Sequence, residues 1–319
     1  MQIYKTKASI ASRRSWLPSL FIILLVTVGV MILMQGLGLM LVPVIFNIAL
    51  DEMLALFTSP TNYPEAKLAM YFVQGFASGL SFIIAALIIA KLVDKAKFGM
   101  KQQFKRFKFT SLGILLFVML GAILFNSLII DWNANMHLPE SMHKIEEFFK
   151  ETEDQRMVLT KFLTDFESPL EFAVGILVIG ILAGIGEEFF FRGVIQPKMQ
   201  IYTGNGHLAV WLTALIFSAI HIQFYGFFPR MLLGAIFGYL YLYSGSLLYP
   251  IIAHILNNTF TVVLIYLNKL GKIEFDMDQT GQVSIPYAIV GFVLLILALK
   301  IFEEKSKRYL PDEELEESL

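Results

Sequence analysis

Long uninterrupted apolar runs dominate this chain of 319 residues, and the first extends from about residue 19 to residue 46. A run of roughly 18 or more apolar residues is long enough to cross the hydrocarbon core of a bilayer as a helix. Hydrophobic residues make up 56% of the chain and charged residues only 16%, against roughly 25% charge in soluble domains. The sequence therefore predicts an all-α, polytopic membrane protein.

Eight apolar segments are predicted to span the membrane, of which the sixth is short. They cover residues 19–46, 68–91, 110–130, 169–190, 207–223, 230–244, 247–267 and 285–302. We interpret residues 1–167 as three N-terminal spans with a long acidic loop. Residues 168–268 then form a helical core with the candidate site between helices 4, 5 and 7, and residues 269–319 form the last span and an acidic tail.

The charges between the spans predict the orientation of the chain. The 91–108 connection is strongly basic, with Asp94 as its single acid, whereas the 47–67 and 131–168 connections are net acidic. Basic loops are retained in the cytoplasm. We therefore expect a multi-pass protein of the cytoplasmic (inner) membrane, with both termini cytoplasmic and the long acidic loop outside.

Composition excludes several function classes. The net charge of −1 does not favour nucleic acid as a partner, which leaves membrane lipid and a protein or peptide as the expected partners. The absence of cysteine excludes disulfides, cysteine-ligated zinc and a cysteine nucleophile. Within the long acidic loop, residues 145–166 carry apolar side chains at partial helical spacing. A helix on the outer membrane surface and a packed extramembrane cap both explain that spacing.

The strongest functional signal is a set of polar side chains in or beside the apolar segments. Ionisable groups in hydrocarbon are costly and usually mark a functional site. Six polar side chains of this kind fall within a window of 72 residues: Glu187, Glu188, Arg192, His221, His254 and Asn258.

The first group is the Glu187-Glu188 pair followed by Arg192. Residues four apart share a helix face, so Glu188 and Arg192 can form an ion pair that neutralises both. Glu187 is rotated about 100° away and has Phe191 as its own i+4 neighbour. A carboxylate in an apolar setting without a cationic neighbour binds protons readily and suits a general base or acid. Two structural carboxylates bonded to other helices are the alternative.

His221 and His254 are expected to reach the same level as Glu187. The turn at Gly204 lies 17 residues from both Glu187 and His221, about 25 Å along a regular helical hairpin. The polar stretch between Arg192 and residue 207, including Lys198, is expected to project into the cytoplasm and absorb part of that length.

His254 and Asn258 share a helix face about 14 Å from the turn near Gly245. All three elements are thus expected to meet in the cytoplasmic half of the bilayer. Glycines four apart, at Gly180 and Gly184 and again at Gly234 and Gly238, would let these helices approach closely. Taken alone, a buried histidine or a His–Asn pair is as well explained by helix packing.

A carboxylate, two imidazoles and an amide suit hydrolysis of an amide bond. A carboxylate and a histidine can activate water, and a second histidine with an asparagine can donate hydrogen bonds to the oxyanion. A zinc ion held by Glu187, His221 and His254 is the competing arrangement. No H-E-x-x-H motif occurs and Asn258 is a poor zinc ligand, so metal-free water activation is preferred, with no cofactor assigned and Zn²⁺ kept as an alternative.

The motifs Glu187-Glu188-x-x-x-Arg192, Phe217-x-x-x-His221 and His254-x-x-x-Asn258 resemble those of the CPBP intramembrane proteases. That family includes the CAAX prenyl proteases and the bacteriocin-processing and bacteriocin-immunity proteins. The resemblance covers about residues 168–268 and leaves the substrate open.

The resemblance implies that Glu187 activates the attacking water with His221, while His254 and Asn258 stabilise the oxyanion. Glu188 and Arg192 would support the site. The family is often labelled metalloprotease, although a glutamate-dependent mechanism without metal is also argued for it.

The preferred hypothesis is therefore an intramembrane endopeptidase acting on a membrane-associated protein or peptide. A non-catalytic membrane protein that binds or regulates a partner is the alternative. A transporter with a proton relay is weaker, because paired halves with interrupted helices are not evident.

Overall fold

The computed structural model describes residues 12–52, 65–96, 99–275 and 284–307. The predicted acidic tail at 311–317 lies outside the described residues. Within the described residues the chain is built of helices and their connections, without a β-strand. The all-helical, polytopic prediction is confirmed.

Ten helices organise the described residues, and eight of them coincide with the apolar segments of the sequence. The helices are α1 (Trp16–Phe46), α2 (Ala66–Val93), α3 (Met100–Arg106), α4 (Leu112–Ala134), α5 (His143–Thr164), α6 (Pro169–Thr203), α7 (Gly206–Ala219), α8 (Phe227–Ser244), α9 (Leu248–Lys269) and α10 (Ile285–Lys307). Both α2 and α6 are continuous helices that contain wider π-helical turns. Such turns are frequent at functional sites.

Six of these helices are long and apolar enough to cross a membrane: α1, α2, α4, α6, α9 and α10. Helix α7 has 14 residues and spans about 21 Å, which is less than the roughly 30 Å of a hydrocarbon core. Helix α8 has 18 residues. The polytopic class is thus established, whereas the count of eight spans stays a prediction.

Successive long helices run in opposite directions, so their connections gather at two ends of the bundle. We call one the basic end, formed by residues 91–108, 196–206 and 244–249, where Ser246 donates a hydrogen bond to Gln103 O at 2.9 Å. The other is the acidic end, formed by residues 131–168 and 220–227, where Arg156 donates to His221 O at 2.6 Å. These contacts fix which loops share an end.

The projection of the stretch from Arg192 to residue 207 into the cytoplasm stays a prediction, but the charged members of this stretch are not exposed to solvent. Arg192 and Lys198 are both fully buried, and Lys198 forms an ion pair of 2.7 Å with the fully buried Asp94 of the 91–108 connection. A charge inside a protein is tolerated when it is paired and hydrogen-bonded. The pair ties α6 to the C-terminal side of α2.

Glycines on α6 bring α9 close, in the way the spacing predicts. A Cβ atom built on Gly184 would lie 2.9 Å from Ile255 Cγ1 and 3.1 Å from Ile255 N, and one on Gly180 would lie 2.6 Å from Thr259 Oγ1. No larger residue fits at this backbone separation without moving α9. The close packing positions the α6 carboxylates against the polar face of α9.

Helix α5 packs against the acidic end as a cap. The ring of Phe149 stacks on Phe224 with 5.5 Å between ring centroids, and Leu163 and Phe166 are buried in the bundle. Ile145 and Phe148 remain exposed. Of the two explanations of the 145–166 pattern, the packed cap accounts for the contacts observed.

Candidate active site

A cavity of about 310 Å³ lies between α4, α6, α8 and α9 and the turn that follows α7. Its volume corresponds to roughly ten water molecules at about 30 Å³ each. Its wall includes all four predicted catalytic residues, Glu187, His221, His254 and Asn258. The sequence predicted the site between its fourth, fifth and seventh apolar segments, which correspond to α6, α7 and α9. The structure adds walls from α4 and α8.

Glu188 and Arg192 form the ion pair expected from their spacing. Arg192 Nη1 donates to Glu188 Oε1 at 2.7 Å, and both side chains are fully buried. Arg192 Nη2 donates to Gly234 O at 2.5 Å, and its guanidinium lies over the rings of Phe217 and Phe237, 5.1 and 5.6 Å from their centroids. Arginine therefore ties α6 to α7 and α8, which fixes the carboxylate of Glu188.

His254 bridges the two adjacent carboxylates of α6. Its Nδ1 donates to Glu188 Oε1 at 2.8 Å, and its Nε2 faces Glu187 Oε2 at 3.8 Å, beyond direct hydrogen-bonding distance. The imidazole stacks on Phe237 with 5.0 Å between centroids, which holds the ring plane. Among the described contacts Glu187 forms no ion pair within its own helix, as its spacing indicated, but the sequence did not reveal this neighbour on α9.

His221 lies just beyond α7, which ends at Ala219, and not inside a helix as the 207–223 segment predicts. Its Nδ1 is 2.7 Å from Phe217 O. A carbonyl oxygen only accepts hydrogen bonds, so Nδ1 carries the proton and Nε2 of the neutral ring keeps its lone pair. Glu187 and His221 share the cavity wall, and among the described contacts no direct hydrogen bond joins them.

The turn that carries His221 is held by side chains from elsewhere in the chain. Arg156 donates to His221 O, and Glu153 Oε1 accepts from Tyr225 N at 2.9 Å. Asn133 at the end of α4 donates through Nδ2 to Phe224 O and accepts through Oδ1 from Phe228 N, both at 3.0 Å. Side chains from α4 and α5 thus satisfy several backbone polar groups of a turn that has no regular secondary structure.

Asn258 presents an amide to the cavity from α9. Its Nδ2 donates to Ile179 O at 3.0 Å, and its Oδ1 accepts from Asn257 at 3.2 Å. An asparagine amide has two N–H groups, so one remains for a further acceptor. The Oδ1 bond to Asn257 fixes which way the amide faces.

Sequence reasoning missed several polar residues of the cavity wall, among them Arg230 on α8 and Asn126 on α4. Both lie in predicted apolar segments, so the signal that identified Glu187 was present for them too. Arg230 Nη2 donates to Gln223 at 2.7 Å while its Nη1 is buried without a partner, and the buried Asn126 Oδ1 also has no partner. Each is therefore free to bond a molecule in the cavity.

The donor arrangement does not fit the zinc alternative. In the described part of the chain, no group of three His, Asp or Glu side chains is arranged to hold a metal ion. The predicted set of Glu187, His221 and His254 lines one cavity but does not form a metal-binding cluster.

Geometry and composition together define a class: a membrane-embedded helical protein with a polar cavity that is lined by one carboxylate and two imidazoles, with a second carboxylate buried beside it. Residues 169–260 match the family model described as Rce1-like, type II CAAX prenyl endopeptidase Rce1-like. Over that segment the chain is similar to the Rce1-like family, which confirms the resemblance inferred from the three motifs. At family level the match supports an intramembrane CAAX-type protease.

A curated relative provides a second comparison. The uncharacterized protein YpbD of Bacillus subtilis (strain 168) is 29% identical over 83 residues. These residues are 25% of this chain and 39% of that relative, so the similarity spans about two fifths of its length. No solved structure matches the chain.

Proposed function

We propose that this protein is an intramembrane endopeptidase that hydrolyses a peptide bond of a membrane-associated protein or peptide through water activated by Glu187. The observation that carries the proposal is the single cavity lined by Glu187, His221, His254 and Asn258. All four belong to the segment that matches the CAAX-type family. A carboxylate and imidazoles around a cavity that can hold water are what general-base hydrolysis requires.

In the proposed reaction, Glu187 takes a proton from a water molecule oriented by Nε2 of His221. The water oxygen bonds to the peptide carbonyl carbon, and the carbonyl oxygen becomes an oxyanion. The amine then leaves as the carbon–nitrogen bond breaks and receives the proton from Glu187. Water, peptide and two products balance without a metal or another co-reactant.

His254 and Asn258 are proposed to stabilise the oxyanion. The N–H of Asn258 that is not used by Ile179 O is available for it. Nε2 of His254 donates when the ring carries both protons, and Glu188 then faces the positive charge of that ring from 2.8 Å. Preorganised donors of this kind contribute about 10²–10³ in rate each.

Glu188 and Arg192 are proposed as positioning residues. They do not line the cavity, and they act through His254, which Glu188 bonds directly. Because Arg192 is anchored on Gly234 O, the chain Gly234–Arg192–Glu188–His254 links three helices. Loss of any one of these contacts would let the imidazole of His254 tilt away from the cavity.

The test compares new peptide termini in membranes that contain the wild type, Glu187→Gln, His221→Ala or Glu151→Gln. Glu151 is an exposed residue of α5, so Glu151→Gln controls for the same chemical change. Membranes with the wild type and with Glu151→Gln should form the same new termini. In membranes with Glu187→Gln or His221→Ala, the rate of their formation should be about 10²–10⁴-fold lower. Cleavage by Glu187→Gln at the wild-type rate would refute the mechanism, and an unchanged cellular phenotype with it would favour the non-catalytic binding role.

A further inference from the structure

The cavity is displaced toward the acidic end of the bundle. Glu187 and His254 line the inner end of the cavity, and Tyr225 and Gly226, in the turn at the acidic end, line its outer end. Among the described residues, none of the wall residues comes from the segments that form the basic end. The sequence had placed these groups in the cytoplasmic half of the bilayer, whereas their cavity extends the opposite way.

The basic end is closed below the catalytic groups. Gln196 donates to Gly238 O at 3.0 Å and is buried, and the fully buried Lys198–Asp94 pair lies two residues further along α6. The side chains of Phe191 and Ile195, which lie between Glu187 and Gln196 along the helix, are also buried. A peptide approaching from that end would have to separate this buried ion pair.

The acidic end offers a shorter path. Helix α7 is only about 21 Å long, which is shorter than the hydrocarbon core of a bilayer. The turn after it therefore begins before the chain has crossed the full thickness of that core. Non-helical backbone at membrane depth is tolerated where it is buried in protein or lines a water-filled cavity. Tyr225 and Gly226 are partly exposed and line this one.

Charge assigns the two ends to the two faces of the membrane. Exposed lysines cluster at the basic end, at Lys91, Lys95, Lys101 and Lys105. Residues 131–168 of the acidic end carry nine acids against four Lys and Arg residues. Because basic connections are retained in the cytoplasm, the acidic end is the extracytoplasmic one.

We propose that the cavity opens to the extracytoplasmic face and that its substrate is a peptide segment presented on that face. The identity of the occupant as a substrate rests on the proposed protease function, whereas the direction of opening does not. A peptide confined to the cytoplasm is thereby excluded as a substrate. The peptide would enter beside Tyr225 and reach Glu187 without crossing the closed basic end.

The natural absence of cysteine makes a direct test available, because a single introduced cysteine is the only thiol in the chain. The variants are Ser141→Cys, exposed at the acidic end, Asn205→Cys, exposed at the basic end, and Asn257→Cys in the cavity wall. Intact cells are treated with a small charged thiol reagent that does not cross membranes. Permeabilised cells provide the total labelling.

In intact cells, Ser141→Cys should label to its permeabilised level, and Asn257→Cys should label more slowly but by at least half. Asn205→Cys should label only after permeabilisation. Labelling of Asn205→Cys, but not Ser141→Cys, in intact cells would overturn the orientation. If Asn257→Cys reacts only after permeabilisation, Tyr225→Cys is tested as a second wall position, and the same result there overturns the opening. None of these outcomes depends on proteolysis, so they remain decisive even if Glu187→Gln retains activity.

Discussion

The buried Glu188–Arg192 pair should be worth far more to the fold than an ion pair of the same spacing at the surface. The two side chains are fully buried and 2.7 Å apart, so removing one partner leaves an uncompensated charge. Such a loss costs about 3–5 kcal/mol, a large part of a total stability of about 5–15 kcal/mol. Replacing both partners by apolar residues removes both charges and costs less than the sum of the single changes.

The assay is a double-mutant cycle of Arg192→Met, Glu188→Met and the double variant, measured by equilibrium unfolding in detergent micelles. Each single variant should lose about 3–5 kcal/mol, and the double variant should lose less than the two losses combined. Glu303 and Lys307 form the matched control, an i,i+4 pair of 2.8 Å with half-exposed side chains on α10. Its Lys307→Met variant should lose at most about 0.5 kcal/mol.

The reasoning would be refuted if Arg192→Met were no more destabilising than Lys307→Met. Strictly additive losses in the double variant would refute it as well, because additivity means that the two residues do not interact. Arg192→Met also removes the bond to Gly234 O, and the double variant lacks that bond too. The cycle therefore isolates the ion pair from the rest of the arginine's contacts.

Two further predictions concern helix packing and the α5 cap. Gly184→Ala should destabilise the protein by about 1–3 kcal/mol and reduce cleavage, because its Cβ would meet Ile255 beside His254. Gly113→Ala, with no atom within 4 Å of its Cβ, is the control, and equal unfolding midpoints for the two variants would contradict the argument. Lys150, then His137, lower the pKa of Glu146 to about 2, so ionised Glu146 stabilises the fold above its unfolded pKa of about 4.3. The melting-temperature advantage of wild type over Glu146→Gln should therefore disappear as the pH falls from about 4.3 to about 2, and an advantage that persists at pH 2 would contradict the linkage.

Local spacing predicted the parts of the site that are local in sequence. The Glu188–Arg192 pair follows from the geometry of a single helix, and so does the shared face of His254 and Asn258. The close approach of α6 and α9 follows from small residues four apart, which act through the helix surface alone. Such inferences need only the helical repeat, which apolar segments of this length make secure.

Contacts between distant segments were beyond the reach of that reasoning. Lys198 was expected in a polar stretch that projects into the cytoplasm, and its burial against Asp94, which lies 104 residues earlier in the chain, was not foreseen. The partner of Glu187 is likewise on another helix, since His254 Nε2 approaches it from α9. Helical periodicity carries no information on which helices become neighbours, so pairings of this kind required the structure.

The end of α7 was misjudged for a related reason. Hydropathy continues through Ile220 and Ile222, so the apolar segment was extended past the point where the helix stops. Ile222 adopts a positive φ of 51°, an uncommon conformation for a β-branched residue. Tertiary contacts from outside the segment hold this backbone, and no local sequence pattern indicates them.

The bonds that Asn133, Glu153 and Arg156 make to the turn carrying His221 bear on how this family can be engineered. All three come from residues that precede the 169–260 segment. Grafting that segment alone onto another membrane scaffold would transfer every motif residue while leaving a key imidazole without its backbone supports. Chimeras between relatives should therefore exchange the end of α4 and the whole of α5 together with the motif-bearing helices.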